Sequence, residues 1–432
     1  MQHDYDLLIV GGGLAGNCLA LALKDTGLKI AIVEAGTREQ HHASPAGDRA
    51  LALAAGTVKM LEALGIWQGI AQAATAIKDI HISDQGHFGK VRLSAQKENV
   101  EALGYVITAR DIETHVAKLV TDDCMDAGGT TPWTGEVEQR MEQLPRATQG
   151  AVAEADIKLI CPARLVGLMA GNNTVNVSLK RGDESLIVTA KLLVGADGGN
   201  SSVRKLLEIA QHITEYGQTA LVTTVKSSLP HKNIAFERFT ASGPLAMLPV
   251  DNNHCAVVWT RTSEDANTLM SCSEIDFLAE LQQCFGYKLG ELSLTEPRRA
   301  FPLSLIRAEK MIAARTVVIG NAVHQLHPVA GQGFNLGLRD VVQLAEMIVK
   351  QHEANQDIGA VNFLTAYAQS RQKDHDRTIG FTNNVVRIFS NDWLALAAAR
   401  NIGLAILDHI PAAKTLLARH AMGLAGRLPR LL

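Results

Sequence analysis

Apolar residues run along this chain in blocks of two kinds. The first block, Tyr5-Asp6-Leu7-Leu8-Ile9-Val10, is nearly continuous, as in a strand buried on both faces. It enters Gly11-Gly12-Gly13-Leu14-Ala15-Gly16, then a helical run from Cys18 to Leu23. A second strand, Lys29-Ile30-Ala31-Ile32-Val33, ends on Glu34. Ala50 to Leu64 reads as a helix with Leu51, Ala54, Val58 and Leu61 on one face. Arg110 to Val120 reads as another, with Ile112, Val116 and Leu119 in register. Between them Ile80–Ser83 and Val91–Leu93 read as strands about Gln85-Gly86-His87.

From Thr121 to Ala155 the chain is polar and aperiodic. Val137, Met141 and Leu144 share a helical face there, so the stretch is either a short helix or an excursion. Strands return at Ile157–Ile160, Val175–Leu179, Leu186–Val188 and Leu192–Val194. Residues 215–300 alternate like an antiparallel sheet, through Leu221–Val225, Phe236–Phe239, Leu245–Leu248 and Ala256–Thr260. One helix, around Ile275 to Phe285, interrupts it. Val317-Val318-Ile319-Gly320 is a further strand; Gln332 to Lys350 is helical, and so is most of the rest to Leu432. This order predicts one cofactor domain assembled from distant stretches, with a substrate sheet inserted into it.

Composition narrows the class. The 432 residues are 47% hydrophobic, enough for a large core, and the net charge of −3 offers nucleic acid no basic field. Six scattered cysteines form no C-x-x-C pair, which fits a reducing cytoplasm better than a disulfide framework or a zinc site. The glycine-filled N-terminal stretch follows Asp4 and Asp6 and is no signal peptide. No run of about eighteen apolar residues is free of charges and breaks.

The strand, G-x-G-x-x-G turn, helix and acidic residue stand at the spacing of a dinucleotide fingerprint. Gly11 permits the turn, Gly13 lets backbone approach a pyrophosphate, and Gly16 lets helix meet strand. Helix N–H groups face the phosphates, and Glu34 can accept from ribose hydroxyls. A second constellation, Leu192 to Arg204, ends a strand in Gly195-Ala196-Asp197-Gly198, where Asp197 can reach sugar or ribityl hydroxyls; a Ser201-capped turn is the plain alternative. The third runs from Val317 to Asp340 through Gly320-Asn321, Pro328, Gly331, Gly333 and Asn335. Its helix N-terminus can face an anion such as a reduced flavin.

With these motifs the chain resembles the class A flavoprotein monooxygenases of para-hydroxybenzoate hydroxylase type, from residue 5 to about 410. Gly47-Asp48-Arg49-Ala50-Leu51-Ala52-Leu53, Phe236-Glu237-Arg238-Phe239 with Gly243 to Pro249, and Ala330 to Gly337 resemble the ubiquinone-biosynthesis hydroxylases, the 2-octaprenyl-6-methoxyphenol hydroxylase group in particular. Asn321 departs from the Asp usual in the wider family.

The resemblance implies an α/β fold in which an FAD-binding Rossmann-like domain (residues 1–78, 99–208 and 302–350) interleaves with an antiparallel-sheet substrate domain (79–98 and 209–301). A helical region, 351–432, follows. It implies an enzyme hydroxylating the ring of a polyprenylated phenol in ubiquinone biosynthesis, with NAD(P)H and O2, through a flavin hydroperoxide. Gly11, Gly13, Gly16, Glu34, Arg49, Arg110, Asp197, Asn321, Pro328, Gly331, Gly333 and Asn335 would bind FAD. Phe236, Phe239 and Met247 would line the substrate sheet, or equally form ordinary core. His327, with His324 beside it, is the candidate for deprotonating a phenol, against a local hydrogen-bonding role. No metal is expected. The expected location is cytoplasmic and peripheral to the inner membrane, within a ubiquinone-biosynthesis complex. Ala412–Leu432, with its mixed apolar and basic residues, would dock there or form a terminal helix. Two other readings remain open: a different flavin oxidoreductase on the same scaffold, and a flavin-binding assembly subunit.

Overall fold

The computed structural model describes residues 3–37, 40, 45–126, 157–326, 331–389 and 394–424. β1 (Tyr5–Val10) pairs in parallel with β2 (Ile30–Val33) and β11 (Glu184–Gly195). β2 then pairs with β8 (Ile157–Ile160), and β11 with β19 (Thr316–Val318), edged by β18 (Ile312–Ala313). Leu7, Leu8 and Ile9 are wholly buried, because this sheet is covered on both faces; hence the continuous apolar run. Helices α1 (Leu14–Ala22), α3 (Ala109–Asp126) and α6 (Gln332–Glu353) share its core.

Several local readings change. Leu186–Val188 and Leu192–Val194 are parts of the one strand β11. Its first half pairs with β10 (Val175–Arg181), which pairs with β9 (Arg164–Ala170). Ala50 to Leu64 is not one helix but β3 (Ala50–Ala54) followed by α2 (Ala55–Ala63). Ala-Leu-Ala-Leu-Ala has period two as well as helical spacing. Its pairing partner β7 (Gly104–Thr108), itself paired with β4 (Thr75–Ile77), lies far along the chain. Thr121–Asp126 continues α3, while 127–156, with Val137, Met141 and Leu144, lies outside the described residues.

The second sheet holds β12 (Gln211–Ser227), β15 (His254–Thr262), β14 (Gly243–Pro249), β13 (Ile234–Thr240), β5 (Asp79–Asp84) and β6 (Lys90–Ser94), side by side. On the other side of β12 come β17 (Arg299–Ala308) and β20 (His324–Gln325), and β16 (Leu292–Leu294) pairs with its end. Neighbours are antiparallel except β5 and β13, which run parallel. Strand β17 carries the sheet across the boundary expected at 301/302. One face is covered by α4 (Ser263–Ser271) and α5 (Glu274–Phe285); the Trp259 and Phe277 rings meet there at 5.8 Å. The opposite face looks into a cavity.

Helices α7 (Val361–Phe389), α8 (Leu394–His409) and α9 (Pro411–Ala421) follow. The inner face of α9 is core: Ala418 and Met422 pack on Val91, Leu93 and Leu103, and the Met422 carbonyl accepts the Gly56 N–H at 2.8 Å. Among the described residues no helix is long and apolar enough to cross a membrane.

Candidate active site

A cavity of about 1140 Å³ lies between the parallel sheet and the second sheet. Gly11, Gly13 and Glu34 form part of one wall. The Glu34 carboxylate accepts the Gly12 N–H through Oε2 and the Gly36 N–H through Oε1, both at 2.7 Å, so the acid at the strand end is fixed against the glycine turn. At Gly16 a Cβ would collide with the Gly11 carbonyl oxygen, which is where helix and strand approach most closely. At Gly13 a Cβ would meet nothing; it would stand in the cavity. Gly13 caps α1 with no side-chain bond, leaving first-turn N–H groups for an anion.

Asp197 stands on the next segment of wall. Its Oδ2 accepts the N–H groups of Ser202 and Val203 at 2.6 and 3.1 Å, while its Oδ1 is buried without a partner. Arg204, itself buried, donates to the carbonyls of Ala322 and Gly199, both at 2.7 Å, and so ties this turn to the Asn321 turn. Asn321, Gly331 and Gly333 complete the segment, and Gly331 caps α6 without a side-chain bond. An orphaned carboxylate oxygen, an open glycine cradle and two uncapped helix starts on one cavity fit FAD, a diphosphate with many hydroxyls.

Other expected residues act differently. Asn335 touches the cavity, but its side chain is saturated by protein. Its Oδ1 accepts from Ala54 N–H (3.0 Å) and Thr57 Oγ1 (2.6 Å); its Nδ2 donates to the carbonyls of Ala52 (3.0 Å) and Gly331 (2.7 Å). It clamps β3 to α6 rather than offering a bond to a cofactor. Arg110 is off the cavity wall. It grips Asp48 Oδ1 through Nε (2.9 Å) and Nη2 (2.6 Å), and Asp48 Oδ2 also binds Arg299 at 2.8 Å. That cluster holds the turn presenting Arg49, which does line the cavity with its guanidinium 5.8 Å from the Phe301 ring centre.

Of its two readings, Met247 takes the core one and does not line the substrate space. It lies on the helix-covered face of β14, fully buried with Trp259 and Phe277, while its strand neighbours Ala246 and Leu248 face the cavity. Phe239 lines the cavity. Phe236 reaches it too, but its ring packs edge-on against Phe285 at 5.3 Å under the sheet. His324 points away, into a buried cluster in which Asp340 binds His324 (3.1 Å), Arg371 (2.7 Å) and His375 (2.7 Å). Burial raises the Asp340 carboxyl, yet the charges of His375 and Arg371 hold it well below the usual range; burial, outweighing Asp340, pushes His324 down. Three of these side chains have metal-ligand spacing, but the Arg371 guanidinium occupies the carboxylate, so the cluster reads as a structural ion network. His327 and Pro328 lie outside the described residues.

Sequence reasoning passed over Glu237. It projects from β13 into the cavity between Ala235 and Phe239, accepts no hydrogen bond from a described residue, and burial pushes its carboxyl up to about 7. The signal was present as an acid in an otherwise apolar alternating strand.

Comparisons with known proteins agree with this geometry. A family model described as FAD binding domain matches residues 4–381, and the chain belongs to that family. It is similar to an uncharacterized protein of Synechocystis sp. (35% identity over 100% of this chain and 96% of that protein) and to ubiquinone hydroxylase UbiL of Rhodospirillum rubrum (33%, over 97% and 89%). Its fold matches that of p-nitrophenol 4-monooxygenase PnpA from Pseudomonas putida with a TM-score of 0.71, at 16% identity over 99% of this chain and 100% of the other. The fold is thus that of FAD-binding monooxygenases, and the chain is an FAD-dependent monooxygenase.

Proposed function

We propose that the chain hydroxylates the aromatic ring of a polyprenylated phenol on the route to ubiquinone, using NAD(P)H and O2. The observation that carries this reading is one continuous cavity that joins the glycine turn to an apolar sheet face. Similarity over nearly the whole chain to a ubiquinone hydroxylase supports it. Bound FAD supplies hydride acceptance from the nicotinamide and the activation of O2. The protein's part is to hold and exclude. The Gly13 turn and the start of α1 would hold the pyrophosphate, and Glu34 the ribose hydroxyls. Asp197 Oδ1 would accept from a cofactor hydroxyl, and the start of α6 would favour negative charge beside it. Ile82, Ala246, Leu248 and Phe239 keep water from the reacting ring.

The lipid tail enters the same proposal. On α8, α9 and the Ile410 joint between them, Ile402, Ile406, Ile410 and Leu416 are 53%, 53%, 46% and 68% exposed, while Leu417 and Ala421 on the inner side line the cavity. These helices meet the bilayer, or a partner in a biosynthetic complex, on one side and receive the prenyl tail on the other. Lys414 on α9 is paired with Asp408 at 2.7 Å.

The test is purified, FAD-loaded protein supplied with NADH or NADPH and short-tailed prenylphenols. Substrate-dependent NAD(P)H oxidation with a product heavier by one oxygen is expected. FAD-loaded protein that oxidises NAD(P)H no faster with any prenylphenol contradicts the reading.

A further inference from the structure

We propose that Glu237 accepts the proton of the substrate's phenolic hydroxyl, which makes it a catalytic residue of the hydroxylation; this deepens, and rests on, the function proposed above. The position follows from strand register. Glu237 stands opposite Ile82 on β5 and Ala246 on β14; Ala246 stands opposite Val258, and Val258 opposite Val222. Along β13 its same-face neighbours are Ala235 and Phe239. A single carboxylate is therefore set in an apolar field that faces the substrate space.

Other charged groups around it are distant or engaged. Arg299 ends the same row, opposite Val222 on β17, four strands from Glu237 and so roughly 19 Å away; it is bound to Asp48. Asp84, beside Phe239 in register, is held by Asn401 Nδ2 at 2.8 Å and lies near His87 Nδ1 at 3.4 Å. From α9 the cavity receives only Leu417 and Ala421. The remaining ionisable residues of the wall, Glu34, Arg49, Glu113, Arg164 and Asp197, belong to other elements than the substrate sheet. Arg238 and Lys288 lie on the far face, where Arg238 donates to the Phe285 carbonyl and Lys288 stands over the Phe236 ring.

The chemistry balances simply. The phenol O–H bond breaks and a carboxyl O–H bond forms on Glu237. The electron pair left on oxygen spreads to the ring carbons ortho and para to it, which become the nucleophiles for the oxygen derived from O2. The proton leaves Glu237 for solvent once product departs. A phenol near 10 gives its proton uphill to a carboxylate near 7, a much smaller gap than to an ordinary carboxylate near 4.5.

The experiment compares wild type, E237Q and E237D, each checked for FAD content by absorbance. Expected is a loss of kcat for prenylphenol hydroxylation of about 10²-fold or more in E237Q, with KM little changed. The wild-type rise in kcat/KM around pH 7 should vanish in E237Q, and E237D should recover part of it. Should E237Q lose FAD, an E237D protein that keeps FAD, part of kcat and the rise in kcat/KM with pH supports the role, and an FAD-loaded E237D protein whose kcat/KM no longer depends on pH in this range overturns it. An E237Q enzyme with wild-type kcat and the same pH profile overturns it and leaves the proposed function standing. A wild type that hydroxylates no prenylphenol overturns both.

Discussion

Asn335 Oδ1 accepts a hydrogen bond from Thr57 Oγ1 at 2.6 Å, joining the start of α6 to α2 across 278 residues of chain. The same side chain holds Ala52, Ala54 and Gly331, so one amide sets the cavity wall between β3 and the α6 N-terminus. Asn335→Ala leaves several buried groups unpaired, at about 1–3 kcal/mol for such a group. Unfolding in denaturant should show a loss of roughly 2–4 kcal/mol, and FAD should bind more weakly. A variant within about 0.5 kcal/mol of wild type would show that the clamp carries no load.

Two glycines of one turn should fail in different ways. Gly13→Val adds atoms where the protein has none, so the variant should fold and elute without flavin colour. Gly16→Val meets the Gly11 carbonyl and should reduce soluble, folded protein. Circular dichroism and FAD content of the two variants separate the cases. A Gly13→Val protein that keeps full FAD occupancy would remove the pyrophosphate from this turn.

These contrasts also show what could be read from sequence. The fingerprint was legible because its constraints are local: a buried strand, a turn, a helix and Glu34 within about thirty residues. The β3 segment was not, because five residues alternating Ala and Leu satisfy both periods and the choice is made by β7, a distant partner. Met247 could not be assigned to core or cavity for a related reason. Alternation shows that a strand has two faces, but here both are apolar, one against Phe277 and one against the cavity, and only register tells them apart. Arg110 and Asn335 carry the chemistry of cofactor ligands and spend it on protein groups, which no single sequence reveals.

Glu237 predicts a pH dependence of stability. Its folded pKa, about 7, lies above the ordinary value of 4.5, so ionisation favours the unfolded chain. Stability should fall as pH rises from about 4.5 through 7 and then level. Glu237→Gln removes that term. At pH 8 it should be more stable than wild type by roughly 1–3 kcal/mol, and at pH 4.5 nearly equal. Thermal melts at the two values check this; a Gln variant equally destabilised at both contradicts it.

Asp340 predicts the opposite slope. Its carboxyl is held down by His375 and Arg371, so its contribution is present above the unfolded pKa and is lost as pH falls through the lower folded one. Asp340→Ala removes the buried carboxylate shared by His324, His375 and Arg371, leaving Arg371 to Asp374 at 2.6 Å, and should cost about 3–5 kcal/mol at pH 7. Adding divalent metal should not protect wild type from heat, because the guanidinium already fills the site. Metal-dependent protection would show that the three side chains bind an ion after all.

Oxygen labelling tests the central claim most directly. FAD-loaded protein is given NAD(P)H, a short-tailed prenylphenol and ¹⁸O₂, and the product is weighed by mass spectrometry. The account predicts a ring-hydroxylated product carrying one ¹⁸O atom, formed only when FAD, reductant and oxygen are all present. Product formed without label, or NAD(P)H consumed with the phenol recovered unchanged, would contradict it.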